Sequence, residues 1–242
     1  MIVLVRRSHI GFSLLLLLTA ACMSLILRQG SGRSAAALAP VQPQPIGRIV
    51  VVDAGHGGED GGAVAGDGTV ESGLNLEIAV RLNALLRLMG QNTVMTRTED
   101  VSIYSDGAQT LHQKKVSDLE NRAALVNGLA DAVLISIHQN SLPSSPKTRG
   151  AQVFYNGVGY APELAAAAQE RLNQAVNGEK EKTAKRISDS IYLTRHAQAP
   201  AVIVECGFLS NDGDTARLKE PEYQLHLAAA IAAGYFTAED DR

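Results

Sequence analysis

The sequence predicts an α/β fold, a three-layer sandwich with a central, mostly parallel sheet flanked by helices. Three observations carry that expectation. Apolar, β-branched runs alternate with segments of helical periodicity, the pattern of strand–helix–strand units. Three of those runs, Ile49–Val52, Ala132–Ile137 and Ala201–Val204, are almost wholly apolar, as strands buried on both faces are. Each then delivers a titratable side chain at its C-terminal end: His56 in Asp53-Ala54-Gly55-His56-Gly57-Gly58, then His138, then Glu205. In open α/β sheets that edge is where ligands bind. With 242 residues and 45% hydrophobic content, the chain can bury one good core and is short for two.

The elements follow in order. Ile49–Val52 is a strand that breaks into a glycine loop. Ser72 caps a helix to Met89, with Leu74, Ile78, Leu82, Leu85 and Met89 on one face and Gly90 as its stop. Thr93–Arg97 reads as the second strand, and Tyr104 to Lys115 as a polar connection placed to line a groove. Ser117-Asp118-Leu119-Glu120 has the form of a capping box that opens a helix toward Leu129. Strands at Ala132–Ile137 and Ala151–Tyr155 precede an Ala-rich helix from Pro162 to Val176. Short strands at Ile191–Thr194 and Ala201–Val204 lead to a last helix, Pro221 to Phe236.

The N-terminus has a different character. The first acidic residue is Asp53, so residues 1–52 carry only positive charge. Arg6 and Arg7 precede an uncharged run of eighteen residues, Ile10 to Leu27. At about 1.5 Å per residue such a helix spans roughly 27 Å, enough for the hydrocarbon core of a bilayer. Basic residues before it favour a cytoplasmic N-terminus and an exported remainder. The expectation is an uncleaved anchor in residues 1–28 and a flexible linker, rich in Gly, Ser, Ala, Pro and Gln, in residues 29–47. Two alternatives are a signal cleaved at Ala37-Leu38-Ala39, which Pro40 disfavours, and lipidation of Cys22. All three place the domain outside the cytoplasm. Removing residues 1–28, with Arg6, Arg7 and Arg28, leaves 19 basic against 25 acidic residues, a balance that argues against nucleic acid. Cys206, after a buried strand, reads as a small core residue.

Singly, the titratable residues have plain readings. His56 bonds its own loop, His138 ends a core strand, Glu71 favours a helix start, and Glu205 caps the turn Cys206-Gly207-Phe208. Together with VVDAGHGGEDGGA, the segment TVESGLN holding Glu71, and then ISIHQNS, GAQVFYN and VIVECGFLSN, they occur in one order between Arg48 and Phe236. That set resembles the zinc-dependent N-acetylmuramoyl-L-alanine amidases of bacterial cell-wall metabolism, the amidase-3 family. ISIHQNSLP, SDSIYLTRHAQAPAVIVECGFLSN and the apolar N-terminal segment are most similar to its membrane-anchored, spore-cortex (germination-specific) branch.

The resemblance implies one Zn2+ per chain on His56, Glu71 and His138, with Glu205 as the catalytic carboxylate. Two imidazoles and one carboxylate suit a hydrolytic zinc site, which keeps a position for water. Asp53 fixes the loop or accepts a proton from a liganding imidazole. Gln139, Asn140, His196 and Asn211 are further candidates for supporting the site or meeting substrate; Glu59 and Asp60 read as solvated. Ala54 and Gln139 depart from the family, which favours proline and a small residue there. Only 35 residues separate Tyr155 from Ile191, leaving no room for the inhibitory helix of the division-linked members. The implied partners are peptidoglycan, the membrane through the N-terminal helix, and a lipoprotein activator. The implied products feed muramic-δ-lactam formation by a separate deacetylase. On this reading residues 48–238 are the catalytic domain and 239–242 an acidic tail.

Overall fold

A computed structural model describes residues 48–240, so the expectations for the anchor, the cleavage and lipidation sites and the linker all lie outside the described residues. Among the described residues no helix is long and apolar enough to cross a membrane.

Six strands form one sheet in the order β2-β1-β3-β6-β4-β5. Beside the edge strand, β1 (Ile49–Ala54) pairs in parallel with both β2 (Asn92–Met95) and β3 (Ala132–Asn140). β3 pairs in parallel with β6 (Ala201–Phe208), in a register that sets His138 opposite Glu205. β4 (Gln152–Tyr155) runs antiparallel to β6, and the two-residue β5 (Lys185–Arg186) runs parallel to β4. Residues 141–151, which join β3 to β4, therefore cross the end of β6 and stay on one edge of the sheet. They are tied there by Leu142 N–H donating to Ser210 Oγ (2.8 Å) and Asn211 Nδ2 donating to Pro146 O (2.7 Å).

Alternation along the strands sorts side chains between two unequal layers. Val50, Val52, Val133, Ile135, Val202 and Val204 face a thick layer. It comprises α1 (Glu71–Leu88), α3 (Ala161–Leu172) and α6 (Pro221–Asp240). Leu82, Leu164 and Leu227 are among its fully buried side chains, each worth about 1.5–3 kcal/mol of transfer free energy. Val51, Leu134 and Ala201 face a thin layer built from α2 (Leu111–Asn127) and the short α4 (Tyr192–His196). Asp53, Ser136, His138 and Glu205 share that parity, so the titratable ends of three neighbouring strands point to the thin side.

Several boundaries differ from expectation, each for a local reason. α1 starts at Glu71 with Val70 at its N-cap and no side-chain cap, so Ser72 is not the cap; it is buried, and its carbonyl accepts from Arg97 Nη2. The α1 stop is as expected, with Gly90 at a φ of 85° that suits glycine. α2 begins at Leu111, six residues before the expected capping box. Thr110 and Gln113 form the box instead: Gln113 N–H donates to Thr110 Oγ1 and Thr110 N–H to Gln113 Oε1. Ser117 lies mid-helix, where its Oγ accepts from Ser105 N–H. The Ala-rich helix ends at Leu172 and widens into a π turn, Asn173–Asn177, which brings the Asn177 amide onto both the N–H and C=O of Ala151. Ile191–Thr194 is not a strand: Lys185 and Arg186 occupy the edge of β4, and the chain coils into α4 beneath the sheet. α5 (Asp212–Leu218), capped by Asn211, was not anticipated. The last helix runs through Glu239 and Asp240, where the sequence suggested an acidic tail; Glu239 bonds the Tyr160 hydroxyl and pairs with Arg48 at 3.5 Å.

Candidate metal centre

His56, Glu71 and His138 converge although they come from a loop, a helix start and a strand end. One donor atom from each lies within 4.8 Å of the others. Glu71 Oε1 is the meeting point, 3.4 Å from His56 Nε2 and 3.1 Å from His138 Nδ1. The same oxygen accepts from Gln139 N–H (3.1 Å) and Asn75 Nδ2 (3.2 Å), and Oε2 accepts from Ala63 N–H (2.8 Å). Burial would raise the Glu71 pKa, but the two imidazoles outweigh it and hold this carboxyl far below the usual range. Burial likewise works against charge on His56, yet Asp60 and Glu71 push its pKa up to about 9. Two nitrogen donors and one carboxylate gathered this way can hold a metal ion, which would have to displace the His56 proton at neutral pH.

Each donor is held by a different device. His138 sits on β3. Its ring packs against Gly55 so closely that a Cβ there would lie 2.2 Å from Nε2. Gly62, at a φ of 71°, makes similar room: a Cβ would lie 2.5 Å from Glu71 Oε2. His56 itself has a φ of 61°, a conformation that costs a non-glycine residue about 1–3 kcal/mol unless its surroundings impose it. Two buried arginines impose it. Arg97 donates to the carbonyls of Ala54 (2.9 Å) and Gly55 (3.1 Å), and Arg122 to those of Ala54 and His56 (both 2.8 Å).

Glu205 stands beside this group without joining the convergence. It lines the same cavity, about 310 Å³ in volume, as His56, Glu71 and His138. Its Oε2 is buried and has no hydrogen-bond partner. Burial pushes its pKa up to about 7. Ile187, Ile191, Leu193 and Ile203 add apolar surface to the cavity lining. None of residues 156–186 lines it; of the stretch between Tyr155 and Ile191, Ile187 does. A larger hollow of about 570 Å³ beside α3 lies away from these groups, and Gln169, Asn173 and Asn177 on that side bond one another.

The other expected residues divide. Asp53 fixes the loop: it accepts from Arg122 Nη1 (2.5 Å), Ser136 Oγ (2.5 Å) and Thr96 Oγ1 (2.8 Å), and bonds neither imidazole. Gln139 braces the site, with its backbone on Glu71 and its Nε2 on Asn75. Asn140 lines the cavity. His196 does not line it; this ring stacks on Tyr192 at 3.9 Å and its Nδ1 lies 2.8 Å from Tyr192 O. Asn211 caps α5, outside the cavity lining. Asp60, read as solvated, lies instead 3.0 Å from His56 Nδ1. Arg97 and Arg122 were not anticipated either: Thr96 and Thr98 flank the first, Asn121 and Ala123 the second, and nothing in either stretch marks a buried charge.

The sequence model of the family described as N-acetylmuramoyl-L-alanine amidase (Amidase_3) matches residues 50–235. The chain belongs to that family. The germination-specific N-acetylmuramoyl-L-alanine amidase of Bacillus subtilis (strain 168) is 38% identical over 200 residues, covering 81% of this chain and 82% of the relative. The amidase LytC of the same organism is 32% identical over 193 residues, covering 78% of this chain and 35% of its own length. Among solved structures, the CwlD amidase of Clostridioides difficile in complex with the GerS lipoprotein matches with a TM-score of 0.76 at 33% identity, over 81% of this chain and 100% of that one. The amidase therefore hydrolyses the amide between N-acetylmuramic acid and the L-alanine of the peptidoglycan stem peptide, and it works in the cell envelope or outside the cell.

The contact between Gly55 and His138 gives a direct expectation for the amidase. Gly55→Ala should displace the imidazole and lower activity by roughly 10²-fold, the scale of a misplacement of about 1 Å at a reacting centre. Turnover on purified peptidoglycan, with metal content measured alongside, checks it; parental turnover would show that His138 accommodates the methyl group.

Proposed function

We propose that the amidase is a zinc enzyme holding one Zn2+ on His56, Glu71 and His138, with Glu205 as its general acid and base. The observation that carries this reading is the convergence of those three donors beside the unpartnered Oε2 of Glu205. When bound there, zinc supplies Lewis acidity, polarising the scissile carbonyl and making water acidic enough to lose a proton near neutral pH. Glu205 accepts that proton on its free oxygen and passes it to the departing L-alanyl nitrogen as the C–N bond breaks. The new C–O bond leaves the lactyl group as a free carboxyl. Arg97 and Arg122 keep the His56 loop in place throughout, and Ile191, Leu193 and Ile203 give the substrate apolar surface within the cavity.

The setting proposed is the spore cortex, with the domain tethered to the outer face of the cytoplasmic membrane by Ile10–Leu27 and a lipoprotein as activator. Support comes from the apolar N-terminal run, the germination-specific relative, and the lipoprotein found with the Clostridioides difficile structure.

The test of the metal is its content. Full-length protein in detergent should carry about one zinc per chain, and His138→Ala should lose most of it. Full retention of zinc in both His56→Ala and His138→Ala would overturn the ligand set. Membrane fractionation with an intact-mass measurement tests the tether: full-length protein in the membrane fraction is expected, and a soluble product starting near Pro40 would replace the anchor with a cleaved signal.

A further inference from the structure

His56 uses only one of its nitrogens toward the metal group. The other, Nδ1, faces Asp60 Oδ2 at 3.0 Å. Lys115 Nζ, from α2, lies 3.2 Å from that oxygen and 3.4 Å from its neighbour Oδ1. The Asp60 side chain is held in this position by its backbone: Gly57 N–H donates to Asp60 O (2.8 Å), and Asp60 N–H to Gly57 O (3.1 Å).

We propose that Asp60 is a positioning residue for the metal, accepting the Nδ1 proton of His56 and so leaving Nε2 as the lone-pair donor. This rests on the metal reading given above. A liganding imidazole that donates its outer N–H to a carboxylate is fixed in tautomer and ring orientation and made more basic. The two histidines differ in their need for such help. His138 is placed by strand register and by the packing of its ring on Gly55. His56 sits on a loop, at positive φ, and among the described residues its ring bonds Asp60 and Glu71. Asp53, the carboxylate nearest in sequence to the β1 end, is engaged by Arg122, Ser136 and Thr96 and is not available for that task. Lys115 plays the lesser part, because its ammonium is half exposed and such pairs contribute little.

The experiment is zinc affinity of the full-length chain, measured by competition with a chromophoric chelator and independent of turnover. Asp60→Ala should weaken zinc binding roughly 10–100-fold. Asp60→Asn should recover most of that loss, because an amide oxygen still accepts from Nδ1–H; a merely structural role for Asp60 would not separate the two variants this way. Lys115→Met should stay within a few-fold of the parent. An Asp60→Ala affinity within threefold of the parent would overturn the proposal, and so would an Asp60→Asn variant as weak as Asp60→Ala. A parent chain that binds no zinc would instead overturn the metal reading, and this inference with it.

Discussion

Glu205→Gln is expected to lower turnover by roughly 10²–10⁴-fold while leaving metal content unchanged, the loss typical when a general acid–base group is removed. The separation of the two effects follows from geometry. The donors that converge are His56, Glu71 and His138, and Glu205 is not among them. Glutamine keeps the length and planarity of the side chain, so the end of β6 and its pairing with β3 have no reason to move. What disappears is an oxygen able to take a proton. Burial has already raised the Glu205 pKa to about 7, where gaining and losing a proton are nearly balanced at neutral pH. The loss should fall on kcat more than on KM, since the group acts in the bond-breaking step. Turnover on purified peptidoglycan within a few-fold of the parent, at equal zinc content, would move the proton transfer to another group.

Arg122→Met should cost about 3–5 kcal/mol of folding stability, the range for breaking a buried ion pair by removing one partner. Arg122 is almost fully enclosed and bonds Asp53, Asp118 and the carbonyls of Ala54 and His56. Methionine fills much of the volume and satisfies none of these acceptors, so two buried carboxylates lose their counter-charge. Equilibrium urea unfolding measures the difference; a loss below about 1 kcal/mol, the worth of an exposed pair, would show that water enters and replaces the guanidinium. A pH dependence accompanies it. Burial raises the Asp53 pKa, but the Arg122 charge and the Ser136 and Thr96 hydroxyls outweigh it and hold this carboxyl below its usual value. A depressed folded pKa gives stability that is present above the unfolded value of about 3.9 and is lost as pH falls through the folded one. Acid unfolding of the parent should therefore set in below about pH 4.

The long buried strands were legible in the sequence and the family resemblance pointed to His56, Glu71 and His138 as a group, while β5 and much of the support around that group were not legible. Val50–Val52, Val133–Ile137 and Val202–Val204 are buried on both faces, so their apolar runs are continuous and mark the sheet directly. His138 and Glu205 are conspicuous because each interrupts such a run. α2 gave the weakest signal because its inward face is charged where it meets the His56 loop: Asp118 and Arg122 are buried, whereas Leu111 and Val116 are exposed. Apolar periodicity therefore misses its first two turns, and Ser117-x-x-Glu120 imitates a helix start in mid-helix. Asp60 was overlooked for a related reason. A carboxylate in a glycine loop looks solvated until the fold of residues 57–60 turns it back onto His56. His196 drew attention as a histidine just before a loop with Pro200, but its partner is the Tyr192 ring one helical turn earlier.

The path of residues 141–151 bears on how such a protein can diversify. Because β4 reverses direction beside β6, the chain leaves β3 and enters β4 on the same edge of the sheet, the edge that carries His138 and Glu205. Extra residues placed there would lengthen a surface span without threading a new segment through either layer. Loop closure charges little for added length, about 0.6 kcal/mol per doubling. A span that starts at Ser141, on the cavity wall, can thus grow while the scaffold beneath keeps its stability.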